Sequence, residues 1–302
     1  MRAEFAEAMI HVADDDPMSL FLTGDLGYMA LEGVRDKFGM RFINAGVAEQ
    51  NMVSVAAGLA YEGFQPWLYS IAPFAVLRPY EQIRNDICLH RLPVKIVGNG
   101  GGYGYGIMGA THHTLEDIGV MRCLPNMRVY VPFATSDVPE VVRAMALDPA
   151  PNYLRLNLAP KSTLAVPPFA PWRRICKGDG LVVIGTGPVL WNVLSAGGGA
   201  LRETMEVWNA GILPLSDIPD DLAESIARVR RVVTVEEHYG QCGLNEALAS
   251  LLMRKGLGNI HYRSVWAAGY PTGRYGSQAW HLEESGLAGA ALESLLRKLL
   301  NA

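Results

Sequence analysis

Hydrophobic positions along the chain switch repeatedly between two periods. In RFINAGVAEQNMVSVAAGLAYEG, Arg41 to Gly63, the first six residues alternate as a strand does. From Ala48 onward, Met52, Val55, Ala56 and Leu59 recur at helical spacings of three and four, and Gly63 supplies a stop. The same reading predicts strands at SLFLTG, QPWLYSI, PVKIVGN, MRVYVP and NYLRLN. It predicts helices at YMALEGVRDKFG, VLRPYEQIRNDICLH, TLEDIGVMRCLP and SDVPEVVRAMAL. Strand alternating with helix implies a mainly parallel sheet covered by helices. LAVPPFAPWRRICKGDG, rich in proline and charge, then breaks the pattern as a linker or small hairpin. A second unit follows, with strands LVVIGTG and RRVVTVEEH and helices VLWNVLSAGGGALRE and LNEALASLLMRKG. The expected fold class is α/β in two domains, each a mainly parallel sheet flanked by helices: residues 1–165, a linker over 166–178, and 179–302.

Composition narrows the function. The chain has 302 residues, half of them hydrophobic, enough for two substantial cores. A formal net charge of -4, spread along the sequence, gives no reason to expect nucleic acid or an anionic membrane as partner. MRAEFAEAMIHVADDD has no long apolar stretch and carries acids early, unlike a signal peptide. Cys88, Cys123, Cys176 and Cys242 lie far apart, so free thiols in the cytoplasm are expected rather than a zinc site or disulfide framework.

Several stretches carry candidate chemistry. Glu49 stands at a strand-to-helix junction, where a carboxylate faces the positive end of the helix dipole; on that ground alone it is an ordinary first-turn acid. VGNGGGYGYGIMGATHHTLED carries seven glycines from Gly98 to Gly109 and one GxGxxG match at Gly104, Gly106 and Gly109. The preceding strand ends too early, and no acid closes MRVYVP, so a nicotinamide site is rejected in favour of a loop that lets backbone approach a ligand. His112 and His113 follow at a helix start. Neighbouring histidines cannot share a helical face, so they are a poor metal clamp, but one could bond a substrate or shuttle a proton. Phe74, Arg78 and Tyr80 cluster near another helix start, either as core packing or as the wall of a ligand ring. Arg155, at the end of NYLRLN, could bind phosphate or carboxylate, or form a surface ion pair. GDG at Gly178–Gly180 lacks the asparagine partners of a magnesium–diphosphate motif and is read as a turn into a strand.

Taken in order, these stretches resemble the C-terminal half of the transketolase family. RFINAGVAEQNMVSVAAGLA is similar to its pyrimidine-binding motif. LRPYEQIRNDI, VKIVG, GATHHTLEDIGVMRCLPNMRVYVP and YLRLN follow in family order. LVVIGTGPVL, VVTVEEHYGQCGLNEAL and YPTGRYGSQAW resemble its C-terminal domain. The resemblance implies thiamine diphosphate as cofactor, with Glu49 contacting ring nitrogen N1′ of its aminopyrimidine. That role calls for a buried carboxyl, where desolvation favours the proton-bearing form. It further implies that Phe74 or Tyr80 stacks near the pyrimidine, that Arg78 and Asp25 help hold the cofactor, that His112 acts catalytically in the substrate pocket with His113 beside it, and that Arg155 binds a substrate phosphate.

Two departures bear on substrate. By the resemblance, Met108 and Gly100 stand where the family carries an aspartate and a histidine that recognise sugar hydroxyls and phosphate. A larger one is that the family's diphosphate- and magnesium-binding domain has no counterpart in this sequence. The expectation is therefore a small subunit of a split enzyme, paired with an N-terminal subunit that holds the diphosphate and Mg2+ in an α2β2 assembly. It would move a two-carbon ketol or related acyl unit from a ketose or 2-oxo donor to an aldehyde. No metal site is expected on this chain itself. The alternatives are the β subunit of a 2-oxoacid dehydrogenase and a non-catalytic scaffold.

Overall fold

The computed structural model describes residues 1–160, 164–270 and 273–301. Strands β1 (Ser19–Thr23), β2 (Phe42–Asn44), β3 (Gln65–Ile71), β4 (Lys95–Asn99), β5 (Arg128–Tyr130) and β6 (Asn152–Leu156) run parallel in the spatial order β5–β6–β4–β3–β1–β2. The later strands are β7 (Trp172–Cys176), β8 (Leu181–Thr186), β9 (Met205–Ala210), β10 (Ile212–Leu213), β11 (Arg231–Glu236) and β12 (His261–Trp266). Five of them form a second sheet in the order β12–β11–β8–β9–β7, parallel except for β7. The sixth, β10, crosses over and pairs antiparallel with β5, with Ile212 opposite Tyr130 and Leu213 opposite Val129.

The strands read as near-continuous apolar runs because both faces are covered, as parallel sheets require. All five residues of β1 and all six of β8 are buried. The helices are α1 (Arg2–Asp15), α2 (Glu32–Phe38), α3 (Glu49–Tyr61), α4 (Ala72–Val76), α5 (Tyr80–Gln82), α6 (Asp117–Arg122), α7 (Asp137–Leu147), α8 (Leu190–Ser195), α9 (Gly198–Thr204), α10 (Asp220–Val229), α11 (Leu244–Arg254), α12 (Gln278–Glu284) and α13 (Gly289–Leu300). Phe5, Phe21, Trp67 and Tyr69 pack one face of the first sheet under α1 and α7. The core on its other face runs on into the second unit, joining Met52, Leu68 and Ile96 to Val182, Trp208 and Val232.

Several elements differ from the sequence reading. The stretch expected as a linker over 166–178 contains β7, an edge strand of the second sheet. Arg173 hides this strand from a hydrophobicity pattern: it is buried because it meets an equally buried carboxylate, Asp137. VLRPYEQIRNDICLH is not one helix. Pro79 intervenes after α4, α5 is a single short turn, and Ile83–Cys88 continues as a π-helical turn. VLWNVLSAGGGALRE is broken into α8 and α9 at Gly197, whose φ of 65° is left-handed. YMALEGVRDKFG becomes helical only at Glu32, whose carboxylate accepts the Met29 N–H at 2.7 Å in the preceding turn. Pro271 and Thr272, in the YPTGRYGSQAW motif, lie outside the described residues.

Asp137 and Arg173 fasten the two units together. One carboxylate oxygen of Asp137 accepts the Phe133 and Ala134 N–H groups ahead of α7, and both oxygens accept from Arg173 at 2.7 and 2.6 Å. Nearby, Phe133 stacks on Trp191 at 4.4 Å, and the Trp191 indole N–H donates to the Phe133 carbonyl. Arg173→Met should leave the Asp137 charge buried without its partner and destabilise the chain by about 3–5 kcal/mol. The check is the urea midpoint, and an unchanged midpoint would mean that the pair does not hold the seam.

Candidate functional site

Sequence-predicted residues gather where β1, β2, β3 and β4 end, the edge at which open parallel sheets bind ligands. Glu49 is the first residue of α3, delivered there by the short loop after β2. It is 4% exposed, and its Cγ lies 3.9 Å from where a Cβ on Gly24 would stand, so Gly24 leaves room for it at the end of β1. Its Oε1 accepts from Arg78 Nη1 at 2.9 Å. The Arg78 guanidinium in turn lies over the Phe74 ring, 3.8 Å from its centroid. The His112 ring meets Phe74 edge-on at 5.3 Å and lies 5.9 Å from Tyr105. Thr111 Oγ1 lies 2.9 Å from His112 Nδ1, which leaves Nε2 for other partners. Asp25 lies on the same sheet edge, exposed and left-handed at φ 58°. It is held by two bonds with Asn44: its N–H donates to Oδ1, and its Oδ1 accepts from Nδ2. Both residues line a cleft of about 280 Å³ with Tyr28 and Leu31.

Three expected site residues stand elsewhere. Tyr80 turns away from Phe74: its hydroxyl donates to the Val120 carbonyl at 2.9 Å, so it packs against α6. His113 points opposite to its neighbour. It is buried, 2.7 Å from the Gly106 carbonyl through Nε2, among the rings of Tyr103, His281 and Tyr270. Burial pushes its pKa down, as it does for His281. Both histidines precede α6 in a turn rather than opening the helix.

Arg155 is the plainest correction. It is 2% exposed and turned inward: Nε donates to Asp117 Oδ2 at 2.8 Å, and Nη2 donates to the carbonyls of Thr114 and Glu237 at 3.2 and 2.9 Å. Tyr153 adds its hydroxyl to the same Asp117 oxygen. Burial alone would lower the Arg155 pKa, but Asp117 and Glu237 outweigh it and raise it. A guanidinium committed in this way is not presented to a substrate phosphate.

The glycine-rich loop likewise approaches protein, not an open ligand space. A Cβ on Gly101 would stand 2.5 Å from Arg155 Nε, and one on Gly102 2.5 Å from the Glu237 carboxylate. The loop needs glycine because its backbone lies against these two charged side chains. Glu237 Oε1 accepts the Tyr103 N–H at 2.7 Å, and Oε2 accepts from Asn157 Nδ2 at 2.8 Å. Gln278 Nε2 donates to the same carboxylate at 3.0 Å. Burial pushes the Glu237 pKa up. The second unit thus holds the loop that leads to His112.

Sequence reasoning missed Glu237 and its neighbours, although VEEH carried a signal: two acids and a histidine where an apolar strand ends. All three are buried. Glu236 accepts the N–H groups of Leu244 and Asn245 at the start of α11, and His238 Nε2 accepts the Gly119 N–H in α6. Among the described residues, no group of three or more His, Cys, Asp or Glu side chains is arranged to hold a metal ion, and no helix is long and apolar enough to cross a membrane.

Residues 1–160 match the family described as transketolase, pyrimidine binding domain, and residues 170–291 match that described as transketolase, C-terminal domain. One of the subunits of the apulose-4-phosphate transketolase of Phocaeicola vulgatus is 30% identical over 266 residues, which cover 83% of each chain. A solved structure described as a split gene transketolase, inactive beta4 tetramer, is 30% identical and superposes with a TM-score of 0.83, covering 99% of this chain and 97% of the other. Transketolase from Leishmania mexicana shares the fold at a TM-score of 0.78 and 18% identity, with this chain spanning 45% of its length. With two matches following one another as the two sheets do, and a split relative matched along nearly its whole length, the chain belongs to the transketolase family.

Proposed function

We propose that this chain is the small subunit of a two-chain, thiamine diphosphate-dependent transferase of the transketolase type. It moves a two-carbon ketol or related acyl unit from a ketose or 2-oxo donor to an aldehyde. The observation that carries the reading is Glu49: a buried carboxylate beside a half-buried aromatic ring, Phe74, at the ligand-binding edge of a parallel sheet. The pair suits an aminopyrimidine, which needs an oxygen at its rim and an apolar surface at its face. When bound, thiamine diphosphate supplies the electron sink for breaking and forming a carbon–carbon bond next to a carbonyl. Glu49 would share a proton with the pyrimidine ring nitrogen, and Phe74 would stack on the ring. His112 offers Nε2 to a substrate oxygen, its ring braced between Thr111, Phe74 and Tyr105.

The diphosphate and Mg2+ belong to a partner chain in this reading. Support comes from the relatives, one of which is named as a single subunit of a transketolase and another as the product of a split gene. Two copies of each chain make up the assembly, and the four free cysteines suit a reducing cytoplasm. The position of Arg155 argues that any substrate phosphate is met by another group.

Two outcomes are expected. In calorimetric titration, thiamine diphosphate with Mg2+ binds the mixture of this chain and a diphosphate-binding partner, but not this chain alone. Absence of binding by a folded complex would return Glu49 to an ordinary first-turn acid. In the same complex, Glu49→Gln should lower kcat for ketol transfer by about 10²–10⁴-fold while the subunits still associate, since proton transfer by a positioned side chain contributes that much. Full activity in this variant would end the assignment.

A further inference from the structure

Arg78 makes two contacts with one flat group. Its guanidinium donates to Glu49 Oε1 at 2.9 Å and lies 3.8 Å from the Phe74 ring centroid. A guanidinium is planar, carries N–H donors on its rim and stacks on aromatic faces. An aminopyrimidine has the same outline: a flat face, with a ring nitrogen and an amino group on its rim. The two surfaces that would hold the cofactor's pyrimidine are thus both engaged by a side chain of the same shape. We propose that Arg78 is a placeholder. While the site holds no cofactor, its guanidinium occupies the pyrimidine position between Glu49 and Phe74, and it swings into solvent when the cofactor enters.

This inference rests on the cofactor reading above and reverses one expectation drawn from the sequence, that Arg78 helps hold the cofactor. Three features support it. The Arg78 side chain is 44% exposed whereas that of Glu49 is 5% exposed, so Arg78 is the partner that can leave. It sits between α4 and α5, just before Pro79, and is not part of a regular helix. Glu49 is fixed as the first residue of α3 and would be a buried, unpaired charge if nothing met it. The placeholder therefore keeps the carboxylate satisfied and the pocket in a shape that admits a flat ring. A half-exposed ion pair and an exposed cation–π contact are both modest, so giving them up weakens cofactor binding by roughly 3- to 30-fold.

The test is calorimetric titration of thiamine diphosphate with Mg2+ into the complex of this chain with its diphosphate-binding partner. It compares the wild type with Arg78→Ala and Arg78→Lys, using Arg84→Ala, at an exposed neighbour bonded to Asn85, as control. A placeholder predicts that Arg78→Ala binds about tenfold tighter. Arg78→Lys, which keeps the charge but not the flat face, should tighten by less, and the control should be unchanged. Equal or weaker binding by both Arg78 variants overturns the placeholder alone and makes Arg78 a residue that holds the cofactor. Absence of binding by every form, wild type included, defeats the cofactor reading and the placeholder with it.

Discussion

The buried ion pair between Arg155 and Asp117 is the constraint around which the rest of the molecule is arranged. Two charges removed from water cost less when good geometry and further hydrogen bonds compensate them. Here Tyr153 joins Arg155 on one Asp117 oxygen, while the guanidinium reaches the Thr114 and Glu237 carbonyls. These acceptors come from both units of the chain, so the pair can be satisfied only when the second sheet is docked. The demand then spreads. Backbone must pass close beside Arg155 and Glu237, which selects glycine at 101 and 102. The loop that results carries Tyr105 and leads to His112. An electrostatic requirement in the interior thereby sets where a polar ring stands at the mouth of the site.

Much of the architecture was legible from the sequence because parallel sheets leave a simple trace. Strands covered on both faces become short apolar runs, and QPWLYSI coincides with β3. Glu49 and the switch from strand to helix around it were also visible, since the change of period falls where the chain turns. Elements hidden from this reading share a cause. In β7 the inward residue is Arg173, a charge whose partner Asp137 is 36 positions away in sequence. Period and composition register apolar burial and are blind to burial that is repaid by a distant counter-charge.

The same limit explains the site. Glu49, Phe74, Arg78 and His112 come together because each follows a strand at one edge of the sheet. Arg155 stands near the end of a strand of that sheet, so it was placed with them. Only three-dimensional contact reveals that its side chain faces the seam and is already used. The two histidines illustrate this at the smallest scale. One step along the chain takes an imidazole from the mouth at His112 to a buried ring cluster at His113. Sequence could say that they diverge, but not which one stays accessible.

Strand β10 gives the chain an unusual indivisibility. Although it lies in the second half, its two residues border β5 in the first sheet, and the Gly211 carbonyl accepts the Val131 N–H beside them. A cut near residue 165 would therefore not release two finished modules. The N-terminal fragment would keep six parallel strands but present β5 as a bare edge, with an open row of amides and carbonyls of the kind that recruits foreign strands and aggregates. A break between these two units would cut across a shared sheet and leave a fragment that sticks to its neighbours.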